Sequence, residues 1–414
     1  MSKQIYSGEF EAHFSAFKGH ELEKLRNIPA GVTKKLAELG IEDAEQLVAL
    51  SAVDGTGYSL ADELQISQAD FDELLQQAQA ALPPHVASAI SAPQEPNLNL
   101  GALEPTAEIR AEMQAAMLAM PQGLAEVISL PSSVNYAQQM SPIRNQGARG
   151  TCVAHAMTAV HEFYDRQAGN PNDYSEQFLY QETKQIDGAP SACGTWQVKA
   201  AQVLGSLGQC RESIWPYNPN LPCNNNGTEP SNARADAAPH KLATLILNPK
   251  DVNAIKSALA GGSVVGFSIP VWNSWYASAE TRRSGRITMK IGGEASVGGH
   301  AMCLIGYQDD AGSPGGGFFI LRNSWSTGWG YECPYGAGNG TIPYQYLTNE
   351  NWEAVTTAPP PKPKPQPDPN WWKRWPWFFK EGSQDTDTDK DTDTNTEQRT
   401  LVIDTGGKYN IIIR

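Results

Sequence analysis

The sequence predicts an α+β fold: a small all-α unit, then a larger domain of mixed helices and strands, then a low-complexity tail. Three observations carry this. Apolar residues recur at helical spacing over residues 1–82. From about Leu130 to Trp352 the composition turns Gly-rich, aromatic and strand-forming. Past Trp352 the run PPPKPKPQPDP reads as a stiff polyproline-type spacer.

In residues 1–82, Leu25, Ile28, Val32, Leu36, Leu39, Ile41, Leu47 and Leu50 punctuate a series of short helices. The stretch LRNIPAGVTKKLAELGIEDAEQLVAL reads as a helix, a tight IPAGV turn, a second helix, and LGI leading into another. It resembles a helix-hairpin-helix, a motif that implies a grip on DNA phosphate, with Lys34 and Lys35 assisting. Acids outnumber bases by more than two to one over residues 1–100, and only Gly31 marks the hairpin. No nucleic acid partner is expected, and the unit reads as a protein-docking or regulatory module. Residues 83–129 form a linker, Pro- and Ala-rich over 83–105, with a helix over 107–119 as the candidate inhibitory segment.

The main domain spans 130–352. A linker over 353–399 follows, with the Pro-rich spacer, then NWWKRWPWFFK, then the acidic QDTDTDKDTDTNTE. The aromatic and basic residues of 371–380 suit a membrane interface or a docked partner protein. Residues 400–414, TLVIDTGGKYNIIIR, alternate around Gly406-Gly407 and predict a β-hairpin.

The 414-residue chain carries a formal net charge of −14. MSKQIYSGEFEAHF lacks the apolar core of a secretory signal, and no apolar run reaches the roughly 20 residues that span a membrane. The expectation is a cytoplasmic protein, or one exported by a signal other than an N-terminal one. Six cysteines (Cys152, Cys193, Cys210, Cys223, Cys303, Cys333) are too few for a disulfide-built fold. One or two bridges among Cys193, Cys210 and Cys223 stay open.

RNQGARGTCVAHA, residues 144–156, places one thiol behind a Gly-rich turn at the start of an apolar helical run. Thr151 is the expected N-cap, and Val153, Ala156, Val160 and Phe163 mark the buried stripe. A thiol there feels the positive end of the helix dipole, which favours thiolate. Alone, the stretch is equally a buried structural cysteine. GGHAMCLIGY reads as a buried strand with His300 at its start, and FFILRNSWSTGWG as a strand ending in Asn323, with Trp325 after it. A cysteine nucleophile needs a base, and the base needs a group to hold its ring; Cys, His and Asn supply the three. Zinc is the rival, because Cys152 with His155, and His300 with Cys303, have ligand-like spacing. Residues three apart on a strand point to opposite faces, and His155 lies one turn inside the helix, so no metal or cofactor is expected.

LPSSVNYAQQMSPIRNQGARGTCVAHA, YSEQFLYQETK, ESIWPY, GGHAMCLIGY and RNSWSTGWG, in that order, resemble the signatures of the papain-like (C1) cysteine peptidases, over roughly residues 130–352. The resemblance implies a two-lobed papain-like fold and peptide-bond hydrolysis through an acyl-enzyme. It makes Cys152 the nucleophile, His300 the base and acid, and Asn323 the group that orients the imidazole. Gln146 and the Cys152 N–H would form the oxyanion hole, and Trp325 would shield the His–Asn contact. Gly194, Thr195 and Gly299 would bind substrate backbone, and the substrate would be a protein or peptide. A silent binding module or a transpeptidase on the same site are the alternatives. Arg149 stands where many relatives have a cysteine, and CGTW replaces a usual Gly-Gly pair. With no familiar prosegment motif in residues 1–129, this marks a divergent, bacterial-type member.

Overall fold

The computed structural model describes residues 19–26, 28–29, 31–93, 100–119, 129–222 and 225–359, and the backbone of two terminal strands at 401–404 and 410–413. The expectations for the Pro-rich, Trp-rich and acidic tail fall outside the described residues.

Five short helices open the molecule: α1 Val32–Glu38, α2 Ala44–Ser51, α3 Thr56–Leu64, α4 Gln68–Ala81 and α5 Pro84–Ile90. Asp43 and Ser67 cap α2 and α4 through their side chains. Before the IPAGV turn the described chain holds only a one-turn 3-10 helix, Leu22–Lys24, where the sequence suggests a full helix. Residues 84–90, read as linker, instead form α5: Pro83 and Pro84 start a helix whose Ile90 is buried. Helix α6 (Ala107–Leu118) follows, capped by Thr106.

The main domain runs β1 Ser133–Asn135, α7 Cys152–Gln167, α8 Glu176–Ile186, α9 Gln197–Ser206, α10 Ala233–Ala237, β2 Thr244–Ile246 and α11 Val252–Ala260. Next come β3 Val265–Trp272, α12 Asn273–Tyr276, α13 Ala279–Ser284, β4 Ser296–Asp309, β5 Gly317–Arg322, β6 Asn339–Pro343, α14 Tyr344–Glu350 and β7 Glu353–Thr357. The strands form one antiparallel sheet in the order β2-β7-β3-β4-β5-β6, with β1 paired to β4. Separately, β8 Leu401–Asp404 and β9 Asn410–Ile413 pair antiparallel.

Strand β4 organises the domain because successive side chains take opposite faces. Ala301, Cys303 and Ile305 join one core with α7, α9 and α6. Met302 and Leu304 join a second core, shared with β3, β5 and the N-terminal helices. Helix α7 is buried continuously from Cys152 to Phe163, which makes it the central helix of its lobe. The N-terminal helices are therefore welded to the sheet lobe. Leu36, Leu47 and Leu60 belong to the same core as Phe267 and Leu321. At the seam Met289 N–H donates to Leu39 O (2.9 Å), and Arg286 pairs with Asp43 (2.6 Å) and Glu280 (3.1 Å).

Candidate active site

Cys152 is the first residue of α7, where that helix meets β4. Its Sγ accepts hydrogen bonds from the N–H of Ala301, at 3.4 Å, and of Gly101. Thr151 occupies the N-cap position but caps nothing with its side chain. Its hydroxyl pairs instead with the Tyr217 hydroxyl at 2.7 Å.

Strand β4 starts at Ser296, so His300 lies within it rather than at its start. His300 Nε2 meets Asn323 Oδ1 at 2.9 Å. Its Nδ1 is buried with no partner among the described residues. The ring stacks on Trp325, centroids 4.3 Å apart. Asn323 follows β5, and its Oδ1 also accepts the Ser324 N–H at 2.7 Å. The imidazole, the amide and the indole thus meet in one place, and the thiol touches the backbone of the next residue, Ala301.

Gln146 is fixed from several sides. Its N–H donates to Ser324 O (2.9 Å), its Oε1 accepts from Ser324 Oγ (2.7 Å), and its Nε2 donates to Arg149 O (2.7 Å). Tyr217 OH donates to Gln146 O at 2.8 Å. Ser324 and Tyr217 are site residues that the sequence reading missed; RNSWSTGWG and ESIWPY hold them, but nothing in either segment points to Gln146. Gly147 turns the loop with φ of 61°, a conformation that favours glycine.

A segment from far upstream covers this site. Ala102 N–H donates to Gly299 O, Leu103 N–H to Thr195 O, and Thr195 N–H to Gly101 O, each at 3.0 Å. Gly101 passes so close that a Cβ there would lie 2.1 Å from Gly150 O, and one on Gly299 would lie 2.2 Å from Ala102 O. The backbone groups of Thr195 and Gly299 are thus engaged by a peptide, and Gly194 lies beside it. The sequence reading made residues 107–119 the candidate inhibitory segment. Helix α6 lies elsewhere, tied to α9 by Glu112–Lys199 at 2.7 Å, and the residues over the thiol are 100–103.

Burial sets the charge state. It pushes the Cys152 thiol up to about 11, against the opposing N–H groups of Ala301 and Gly101. It also pulls His300 down to about 4, although the Asn323 bond works the other way. In this covered state both groups are neutral near pH 7, not the thiolate that the helix dipole was expected to favour, because little water remains to solvate either charge.

The two histidines within α7 are packed. His155 bonds Thr151 O at 3.0 Å and meets Tyr217 edge-on; His161 stacks on Tyr174 and pairs with Gln209. Cys303 faces the α7 core, away from the face of Met302. Cys193 is disulfide-bonded and Cys210 is a free buried thiol, while Cys223 lies outside the described residues.

Residues 130–336, half of the chain, match the profile described as "Papain family cysteine protease". An uncharacterized peptidase C1-like protein of Acanthamoeba polyphaga mimivirus is 26% identical over 56% of this chain and 73% of its own length. Papain of Carica papaya is 25% identical over 49% of this chain; the match spans 53% of papain, about half its length. Among solved structures, xylellain, a cysteine protease from Xylella fastidiosa, superposes with a TM-score of 0.50 at 23% identity, covering 64% of this chain and 97% of that one. By the extent of the profile match, this chain belongs to the papain family of cysteine proteases.

Proposed function

We propose that the protein is a thiol-dependent endopeptidase whose cleft is filled, in this state, by its own residues 100–103. The observation that carries the reading is that His300 meets Asn323 and Trp325 beside the stretch of β4 backbone that the Cys152 sulfur touches. Cys152 heads a long buried helix, and its sulfur touches the backbone next to His300. One nitrogen of His300 is taken by Asn323 and the other is unpartnered among the described residues.

Once the cleft is open, the Cys152 proton moves to His300 Nδ1. Sulfur then bonds to the substrate carbonyl carbon, and the carbonyl π pair moves onto oxygen. The oxyanion lies between the Cys152 N–H and the Gln146 amide. His300 gives its proton to the amine nitrogen as the C–N bond breaks, leaving a thioester. Water, deprotonated by His300, releases the acid and restores the thiol. Thr195 and Gly299 offer backbone groups to an extended peptide, as they do to residues 101–103.

The covering segment is a poor substrate by the same geometry. Gly101 presents its N–H, not its carbonyl carbon, to sulfur, and its carbonyl is held by Thr195 N–H. That carbonyl is therefore engaged elsewhere than at the attacking atom, which favours a latent state.

The test is labelling with an epoxide that traps activated thiols, read by intact mass for wild type, Cys152→Ala and His300→Ala, each with and without Gly101→Ala to open the cleft. One adduct is expected in the opened wild type and none in either variant. An adduct on another cysteine, or none even after opening, would sink the peptidase reading.

A further inference from the structure

Lys184 is drawn into the protein at the last turn of α8, its side chain 6% exposed and that of its partner Asp187 fully buried. The ammonium donates to three acceptors: Asp187 Oδ2 (2.6 Å), Ala189 O (2.6 Å) and Gly194 O (2.8 Å). Asp187 is satisfied in turn, because its Oδ1 accepts the Ala189 N–H at 2.9 Å. A buried pair of this kind contributes little net stability, since desolvation offsets most of the attraction. What it does fix is the direction of the groups it binds.

The third acceptor belongs to a peptide unit that faces the cleft. Gly194 C=O and Thr195 N–H share one trans peptide plane, in which the two groups point in opposite directions. Holding the carbonyl on the Lys184 side therefore aims the N–H into the cleft, where it donates to Gly101 O at 3.0 Å. Gly194 alone would not hold that plane. A Cβ there would lie 2.5 Å from Gly101 O, so glycine lets a peptide pass, and the same missing side chain leaves the plane free to turn. The ammonium removes that freedom. It also draws electron density towards the Gly194 oxygen, which makes the Thr195 N–H a stronger donor.

We propose that Lys184 is a positioning residue for substrate: through Gly194 O it sets the direction and donor strength of the Thr195 N–H, which binds a carbonyl of an extended peptide as it binds that of Gly101. The group it serves is the peptide backbone, whatever the side chains. The proposal rests on the cleft being the peptide-binding site of a cysteine peptidase.

The full chain carrying Gly101→Ala, which opens the cleft, is labelled on Cys152 by a panel of acetyl-tripeptide chloromethyl ketones and by chloroacetone, the same reactive group without a peptide. Only the peptides offer a backbone carbonyl to the Thr195 N–H, so the ratio of the two labelling rates, followed by peptide mass, measures backbone recognition. Lys184→Met with Asp187→Asn removes both buried charges together, and Asn keeps an oxygen for the Ala189 N–H. The ratio should then fall by about tenfold, the weight of one charge-assisted hydrogen bond. Asp187→Asn alone keeps the ammonium on Gly194 and should hold the ratio within about threefold. An unchanged ratio in the double variant, which includes equal slowing of both probes, would overturn the proposal and leave the nucleophile standing. So would an equal loss in Asp187→Asn. If the opened chain with Lys184 intact reacts no faster with any peptide than with chloroacetone, the peptidase reading falls as well. Should the Met variant not fold, Lys184→Gln with Asp187→Asn decides by the same ratio, because Gln keeps a donor for Ala189 O but ends one bond short of Gly194.

Discussion

Two of the N-terminal segments that touch the peptidase domain are attached by different physics. Helices α1–α5 share a continuous apolar core with the sheet lobe and are tied by the Asp43–Arg286–Glu280 network. Residues 100–103 cross the cleft on three backbone hydrogen bonds and close glycine contacts, with Ala102 as their one fully buried side chain. Burying a Leu contributes about 1.5–3 kcal/mol and a backbone hydrogen bond about 1, so the first attachment is part of the fold and the second is removable. The difference separates a permanent module from a cover.

The strongest way to break this comparison is to show that the helical unit comes away by itself. Leu47 is fully buried in the shared core. Leu47→Ala should cost about 2–5 kcal/mol, and the full chain should still melt in a single calorimetric transition. An early, separate transition would make the unit a loosely tethered domain.

Gly101→Ala tests the other half. The added methyl meets Gly150 O, a backbone atom that cannot swing aside. Loss of the three hydrogen bonds should speed Cys152 alkylation on the order of a hundredfold and lower stability by no more than the roughly 3 kcal/mol those bonds contribute. A large fall in melting temperature would mean that the cover is structural after all. Asp43→Asn should do the reverse on a smaller scale. It weakens the pair with Arg286 while Asn keeps the oxygen that caps α2, costing about 1 kcal/mol in a denaturant titration, and leaves alkylation untouched.

What the sequence made legible follows the same division. Helix spacing exposed α1–α4, and motif order brought Cys152, His300, Asn323, Gln146 and Trp325 together, because each such residue type is tied to a local pattern. The cover was not legible. NLNLGALEP carries no periodicity, and its role rests on glycines whose use appears only when another backbone lies 2–3 Å from the missing Cβ. Helix α5 was hidden in a Pro-rich stretch, since Pro at a first helical turn reads like linker until Ile90 finds a core. Ser324 and Tyr217 were missed for a similar reason: their partner Gln146 is 178 and 71 residues away.

The smallest expected effect is a pH dependence of the cover, and its sign follows from His300. Covered, its pKa is about 4, chiefly because of burial; open to water it should return towards about 6.5. Between those values the open form binds more protons on His300, so closure is most favoured from about pH 6.5 to the ordinary thiol value of about 8.5, weakening through His300 as pH falls towards 4 and through Cys152 as pH rises towards 11. Glu162 and Glu176, raised to about 7 by burial, have the opposite sign: their neutral folded forms are destabilised as pH rises from about 4.5 towards 7. They line the interior beside α7 and Arg322, beneath the site rather than against residues 100–103, so they act on global folding. Hydrogen exchange separates the two. Protection of the Ala102 and Leu103 amides, corrected for intrinsic rate, should fall by about fortyfold from pH 6.5 to 4.5 while amides of α7 hold. His300→Ala should flatten that slope. A slope that survives the substitution would assign the pH response to another group, and equal loss in α7 would assign it to the fold as a whole.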